Sequence, residues 1–412
     1  MKIWVQAAAV LLVISGAGSA GEKLEVGPGK KYAKPSEAIA AAKAGDTIEI
    51  DTQGVYEGDV AKITVSGLTI RGVGEGRAKL DPKGKTCESQ GMFIQAETAS
   101  DLTFENIEFD NVMLGLEVYG NGAAIRSHGK NLTVRNCKFY HCQDTIQGCG
   151  GEVLIEHCEF SYCGLGGADI THNIYIGPKV DKLVYRYNYS HQVKFGSLLK
   201  SRAKESFVLY NRLTDEDGSG CFVADFPNGG KVYVIGNVME KGAKADNRRV
   251  IAYNKEGYAG LKSGDTKAGR HMNEFNEFYV INNVLINNYP RDDPYFIEVL
   301  GVEGMKNGFT MVVRNNIFAG AALGKAPLCT WPKAVMEGNF SEGDPMFVDP
   351  AKYDFRLKPG SPCINKGVDP GKAGEVDLRP VLQYVHPCKQ EKRPDDGKID
   401  IGAYEFQPPA GK

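Results

Sequence analysis

The chain has 412 residues, 49 Lys and Arg against 51 Asp and Glu, and a formal net charge of −2. So balanced a charge excludes recognition of a polyanion such as nucleic acid by bulk electrostatics, and any acidic partner must be met by a local basic patch. Fifty glycines, many asparagines and abundant Val, Ile, Phe and Tyr point away from helices and toward a solenoid, in which each repeat buries its face on its neighbours.

Residues 1–20 carry one early Lys, an apolar run from Ala7 to Ile14, and small residues at Gly18 and Ala20. That is the pattern of a secretory signal peptide, too short in its apolar part to span a membrane. No later segment is long and apolar enough for a membrane helix. The mature chain is therefore expected to be secreted or periplasmic, with no membrane attachment, and monomeric.

Pro35 and Ser36 open, and Gly45 closes, an Ala-rich amphipathic stretch that changes to strand alternation at Thr47. It reads as an N-terminal capping helix. From Leu68 onward one phrase recurs: a short alternating strand closed by Asn or a substitute. It reads LTIRG, LTFEN, LTVRN, VLIEH, LVYRY and FVLYN, then YVIGN, FYVINN, MVVRNN and VMEGN. The closing positions Asn106, Asn136, His157, Tyr187, Asn211 and Asn237 are 30, 21, 30, 24 and 26 apart. A fixed strand with variable spacing predicts an all-β parallel β-helix over residues 21–340, since loops of any length can leave a coil between strands. Stacked Asn side chains are expected to bond along the ladder. The Pro- and Gly-rich tail from 341 to 412 has no repeat and reads as an irregular C-terminal cap lying back along the helix.

Cys137 and Cys158 are 21 apart, as are Cys142 and Cys163, which puts each pair on adjacent coils. Bridges and stacked buried thiols both fit that spacing. Cys363 and Cys388 in the tail are the better disulfide candidates.

The candidate site lies within residues 169–228. Taking Ile174, Ile176, Leu199, Phe222 and Ala224 as buried leaves Asn173, Tyr175, Lys200, Arg202 and Asp225 facing outward. Tyr175, Lys200 and Asp225 are 25 and 25 apart, one coil each, so a phenol, an ammonium and a carboxylate are expected to line up on one exposed face. His191, after a strand in YNYSH, is the better acid–base histidine. His172 shares its parity with Ile174 and leans toward a core role. Asp144 and Asp169 read as loop carboxylates.

YAKPSEAIAAAKAGDTIEI, the Asn-ended coils and the DPMF to DIGAYE tail resemble the secreted bacterial right-handed parallel β-helix proteins of the pectate-lyase-like superfamily. The resemblance implies a right-handed solenoid and an acidic polysaccharide substrate. GSLLKSRAKESFVLYNRLTDEDGSG resembles the lysine segment of the alginate lyase and chondroitinase B family, and Lys200 matches the lysine that serves that family as base. Where that family has an arginine in the next coil, this chain has VADFPNGG around Asp225. The family's acidic calcium ligands have no counterpart in HQVKFGSLL, so Ca2+ stays open, no cofactor is assigned and no metal site is named.

The expected activity is β-elimination at a uronic acid, which needs a base, a group to neutralise the carboxylate, and a proton donor to the leaving oxygen. Lys200 is the base, with its pKa lowered by Arg202; Arg202 holds the carboxylate; Tyr175 or His191 gives the proton. Asn173, His172, Asp225, Asn228 and Arg249 are candidates for holding substrate. A glycoside hydrolase or a uronate C5-epimerase on the same fold remains an alternative. So does a non-catalytic glycan-binding protein using Tyr253, Tyr258, Tyr289 and Tyr295 in the loops of 248–300, which are expected to wall the groove.

Overall fold

The computed structural model describes residues 21–408 apart from 115–121, 166–170, 259–271, 292, 304, 306 and 326. The expected signal peptide and Asp169 lie outside the described residues. The chain is a right-handed parallel β-helix, with a helix at its N-terminal end and an irregular cap from its C-terminal tail. Each coil lays one strand on each of three ladders. Along the coils every strand pairs in parallel, and the antiparallel strand pairs lie in the tail.

Two ladders merge into one 18-stranded sheet, because Ala123–Arg135, Asp144–Glu156 and Ile174–Arg186 run through the corner between them. The third ladder has ten strands. Alternation within each strand sends one set of side chains inward, and parallel register stacks like on like. Phe109, Phe139 and Phe160 accordingly form a file inside, with ring centroids 4.9 and 5.0 Å apart.

The helix, Pro35–Ala41, buries Pro35, Ala38 and Ile39 over the first coils. Glu37 reaches back to accept from the N–H of Ala33, the residue before the N-cap Lys34, at 2.9 Å, tying the incoming chain to the first turn.

The Asn-closed phrase resolves into two adjacent stations. Asn106, Asn136, His157, Tyr187 and Asn282 adopt left-handed backbone, with φ between 50° and 59°, a conformation that Asn tolerates better than most residues. One residue later, Asn188, Asn211, Asn237, Asn283, Asn316 and Asn339 point inward. Each of the first five donates from Nδ2 to the next Oδ1 at 2.9–3.1 Å, and Asn339, the last, donates to the Val313 carbonyl. Asn106 and Asn136 thus belong to a different file from Asn211 and Asn237. In the earlier coils Cys137 and Cys158 take the inward place, and the Cys158 N–H donates to Asn188 Oδ1.

All ten cysteines are free. The expectation of a Cys363–Cys388 bridge is corrected: Cys363 packs with Phe347, Phe355 and Ile401, while the Cys388 thiol donates to the Cys158 carbonyl. The tail runs back along the coils. Asn315 and Asn282 donate to the Val368 and Asp400 carbonyls, and the Val381 N–H donates to Tyr210 Oη.

Candidate active site

On the ladder that carries Lys200, the outward row reads Arg126, Gln147, Tyr175, Lys200, Asp225, Ala252 and Glu298. Every neighbouring pair is in Cα register. Tyr175, Lys200 and Asp225 therefore stand side by side on consecutive coils. Gly196 sets the approach to the Lys200 strand: at φ +67°, a Cβ there would lie 1.8 Å from the Thr171 carbonyl.

The row is more enclosed than an open sheet face, with Lys200 8% and Arg202 6% exposed. The cover is Glu256, whose backbone is tied to the preceding coil by its own N–H and that of Gly257, both donating to the Pro227 carbonyl. Its carboxylate spans the two cations. Lys200 Nζ donates to Oε1 at 2.9 Å and Arg202 Nη2 to Oε2 at 2.6 Å. Arg202 also donates from Nε to Tyr175 Oη at 2.9 Å and from Nη1 to Asn228 Oδ1 at 2.6 Å. Asp225 Oδ2 lies 3.6 Å from Lys200 Nζ.

These contacts overturn one expectation. Burial alone would lower the Lys200 ammonium, but Asp225 and Glu256 outweigh it and the lesser push from Arg202, and hold Lys200 above its ordinary value. Arg202 cannot act as the simple depressor, because Glu256 neutralises both cations at once. Asp225 is raised by burial, against the pull of Lys200. For Glu256 burial is outweighed by Lys200 and Arg202, which keep it below its usual range.

The remaining expected residues divide. His191 stands on the third ladder, in register with Ser161 and Thr214, so its assignment to the Lys200 site is corrected: it faces Glu159 and Glu216 instead. Asn173 is turned inward, donating to Ser190 Oγ and the His191 carbonyl, and is no substrate contact. His172 is likewise buried. Its Nδ1 accepts from the Ser197 N–H, its backbone donates to Asp144, and its ring stacks on Tyr175. Asn228 positions Arg202. Arg249 pairs with Glu298 and lies beside Tyr295, further along the same ladder.

Asp144 begins a strand rather than a loop, and burial pushes its carboxyl up to about 8. Tyr253 is a core residue stacked on Phe278. The described part of 248–300 contributes four coil strands, and Glu256, between the first two, covers the Lys200 row; 259–271 lie outside the described residues. Glu256 went unread in the sequence. Its one signal was position, next to Asn254 just past a strand, where a chain can double back over the coil before it.

The acidic groups do not suit calcium. Asp225 and Glu256 are matched by Lys200 and Arg202, and among the described residues no three His, Cys, Asp or Glu side chains are placed to hold a metal ion. A groove of about 700 Å³ runs from Tyr175 toward the N-terminal coils, past Ser127, His128, Lys179 and Lys62. Tyr175 is the one residue it shares with the ionic cluster. No helix among the described residues is long and apolar enough to cross a membrane.

A family model described as "Right handed beta helix region" matches residues 53–324, and the chain belongs to that family. The fold is similar to the crystal structure of pectate lyase Pel9A, at 14% identity and a TM-score of 0.53, covering 94% of this chain and 97% of that one. An alginate lyase from Paenibacillus sp. str. FPU-7 aligns at 11% identity and a TM-score of 0.44, covering 77% of this chain and 98% of that one. No curated protein sequence matches the chain.

Proposed function

We propose that this protein is exported and acts on carbohydrate, cleaving a uronic-acid-containing polysaccharide by β-elimination. The observation that carries the reading is the convergence of buried Lys200 and Arg202 on one carboxylate, Glu256, at the end of a groove. Two cations around one carboxylate make a seat for a uronate. Neutralising that group acidifies the adjacent C5 proton.

Substrate takes the place of Glu256 on Arg202, whose fork suits a carboxylate. The substrate carboxylate replaces Glu256 between the same two cations, so Lys200 works from its deprotonated fraction, its proton having passed to solvent, and burial favours that neutral amine against the pull of Asp225. The free amine then removes the C5 proton, the C4–O bond breaks to leave a C4–C5 double bond, and Tyr175 gives its proton to the departing oxygen. Arg202, bonded to Tyr175 Oη, stabilises the phenolate until a proton returns from solvent.

A second reading rests on Asp225 and Glu256, whose carboxyls are pushed in opposite directions. That split is what the acid and the nucleophile or base of a glycoside hydrolase require. The deciding experiment follows ultraviolet absorbance of unsaturated uronate ends over polygalacturonate, alginate and glucuronan. Elimination raises the absorbance, and Lys200→Ala abolishes the rise. Saturated new ends without absorbance would instead establish hydrolysis, and an uncut chain with inverted C5 centres an epimerase.

A further inference from the structure

The geometry points to a second saccharide site, on the third ladder beneath the C-terminal tail, that takes one or two acidic sugar units. Its floor is Arg212, on the strand Arg212–Thr214. Its walls are Tyr353, Tyr384 and Tyr404, and its rim includes Lys352 and His386. The cavity measures about 360 Å³, near the small end of ligand pockets, which begin at about 300 Å³.

Arg212 is the reason to assign a ligand. It is 4% exposed, and its guanidinium lies between the rings of Tyr189 at 5.0 Å and Tyr353 at 4.3 Å. Two aromatic faces hold the group flat and leave its donors at the edge. Nη2 reaches Glu216 only at 3.5 Å, and Nε has no hydrogen-bond partner. Nε–H has no surface toward the cavity, so the edge a ligand can engage is the Nη side, held only loosely by Glu216.

The surrounding charges favour an anion. Behind the floor, Glu159 and Glu216 are balanced by His191 and Arg212. On the rim Arg356 is occupied by Asp354, and Glu391 accepts from Gln383, while Lys352 is largely exposed with only a 3.3 Å contact to Asp349. Lys352 and Arg212 are thus two loosely paired cations at the cavity, against Glu391, whose charge the Gln383 amide leaves in place. Tyrosine walls suit the C–H face of a sugar ring, and the planar fork of Arg212 suits the carboxylate of a uronate. His191, which has no part in the Lys200 cluster, serves here as a positioning residue: it holds Glu216, and Glu216 holds Arg212.

The site does not depend on what the Lys200 row does, and the test separates the two. The full chain carrying Arg202→Ala, which removes the carboxylate seat of the first ladder, is titrated calorimetrically with digalacturonate, diglucuronate and neutral cellobiose. One binding event is expected with an acidic disaccharide and none with cellobiose. Tyr353→Ala and Arg212→Gln, each added to that chain, should weaken it by about tenfold or more, the size of one charge-assisted contact. Tyr353 is half-buried on the surface of the tail, so its variant keeps the test valid if Arg212→Gln fails to fold. The assignment is overturned if the Arg202→Ala chain binds neither acidic sugar, if cellobiose binds equally well, or if Tyr353→Ala leaves the affinity unchanged.

Discussion

Lys200 and Glu256 are 56 residues apart in the chain and 2.9 Å apart in space. That contact joins Asp225 in holding the central lysine charged, covers it from solvent, and fills the position that a substrate carboxylate would need. Its consequences can be measured.

Glu256→Gln removes the competing carboxylate and one of the two charges that raise Lys200. The KM for a polyuronide should fall about threefold to tenfold, the range expected for losing a charge-assisted competitor. The acidic limb of kcat/KM, which reports the free enzyme's base, should move to lower pH. A collapse of kcat with unchanged KM would instead make Glu256 a catalytic carboxylate and favour the hydrolase reading.

Arg202→Lys keeps the charge but loses the fork that holds Tyr175, Asn228 and Glu256 together. Steady-state kinetics should show KM raised by about tenfold or more. A kcat loss is also expected, because Tyr175 is no longer oriented. An unchanged KM would show that the carboxylate seat lies elsewhere.

Asn237→Ala breaks the inward file in two places, removing the acceptor of Asn211 and the donor to Asn283 in a site that excludes water. Chemical denaturation should report a loss of about 2–4 kcal/mol. Asn106→Gly changes the outer station: glycine adopts φ 57° freely, but the bonds from Asn106 Nδ2 to the Gly72 and Gly76 carbonyls and from Asn136 Nδ2 to Asn106 Oδ1 are lost. Because these groups are partly exposed, its effect should be about 1–2 kcal/mol, smaller than that of Asn237→Ala.

His191 is raised: burial would lower it, but Glu159 and Glu216 outweigh that cost. A group whose folded pKa exceeds its unfolded value, near 6.5 for His, stabilises fully below the unfolded value and stops doing so as pH climbs through the folded one. Glu216 is lowered, so its contribution fails at the acidic end, as pH drops through its folded pKa. The melting-temperature gap between wild type and His191→Asn should therefore be widest from about pH 5 to 6.5 and shrink above that. A gap that widens with rising pH would mean that His191 is buried neutral.

The sequence by itself determined the solenoid and the outward row. Strand alternation decides which side chains face in, and equal 25-residue steps between Tyr175, Lys200 and Asp225 become register partners once strands stack in parallel. Both are local facts multiplied by a repeat. It could not separate the outer file of Asn106 and Asn136 from the inner file of Asn211 and Asn237, because a one-residue offset at a corner depends on how neighbouring coils turn. Nor could it assign His191 to a different face from Lys200, for alternation carries no information across a corner. The charge of Lys200 follows from Asp225, its legible neighbour in the row, together with Glu256, which only the tertiary structure brings there. Arg202 is near in sequence and would depress it, while Glu256 is distant in sequence and near in space, and in a buried site the net pKa follows the charges that touch the group.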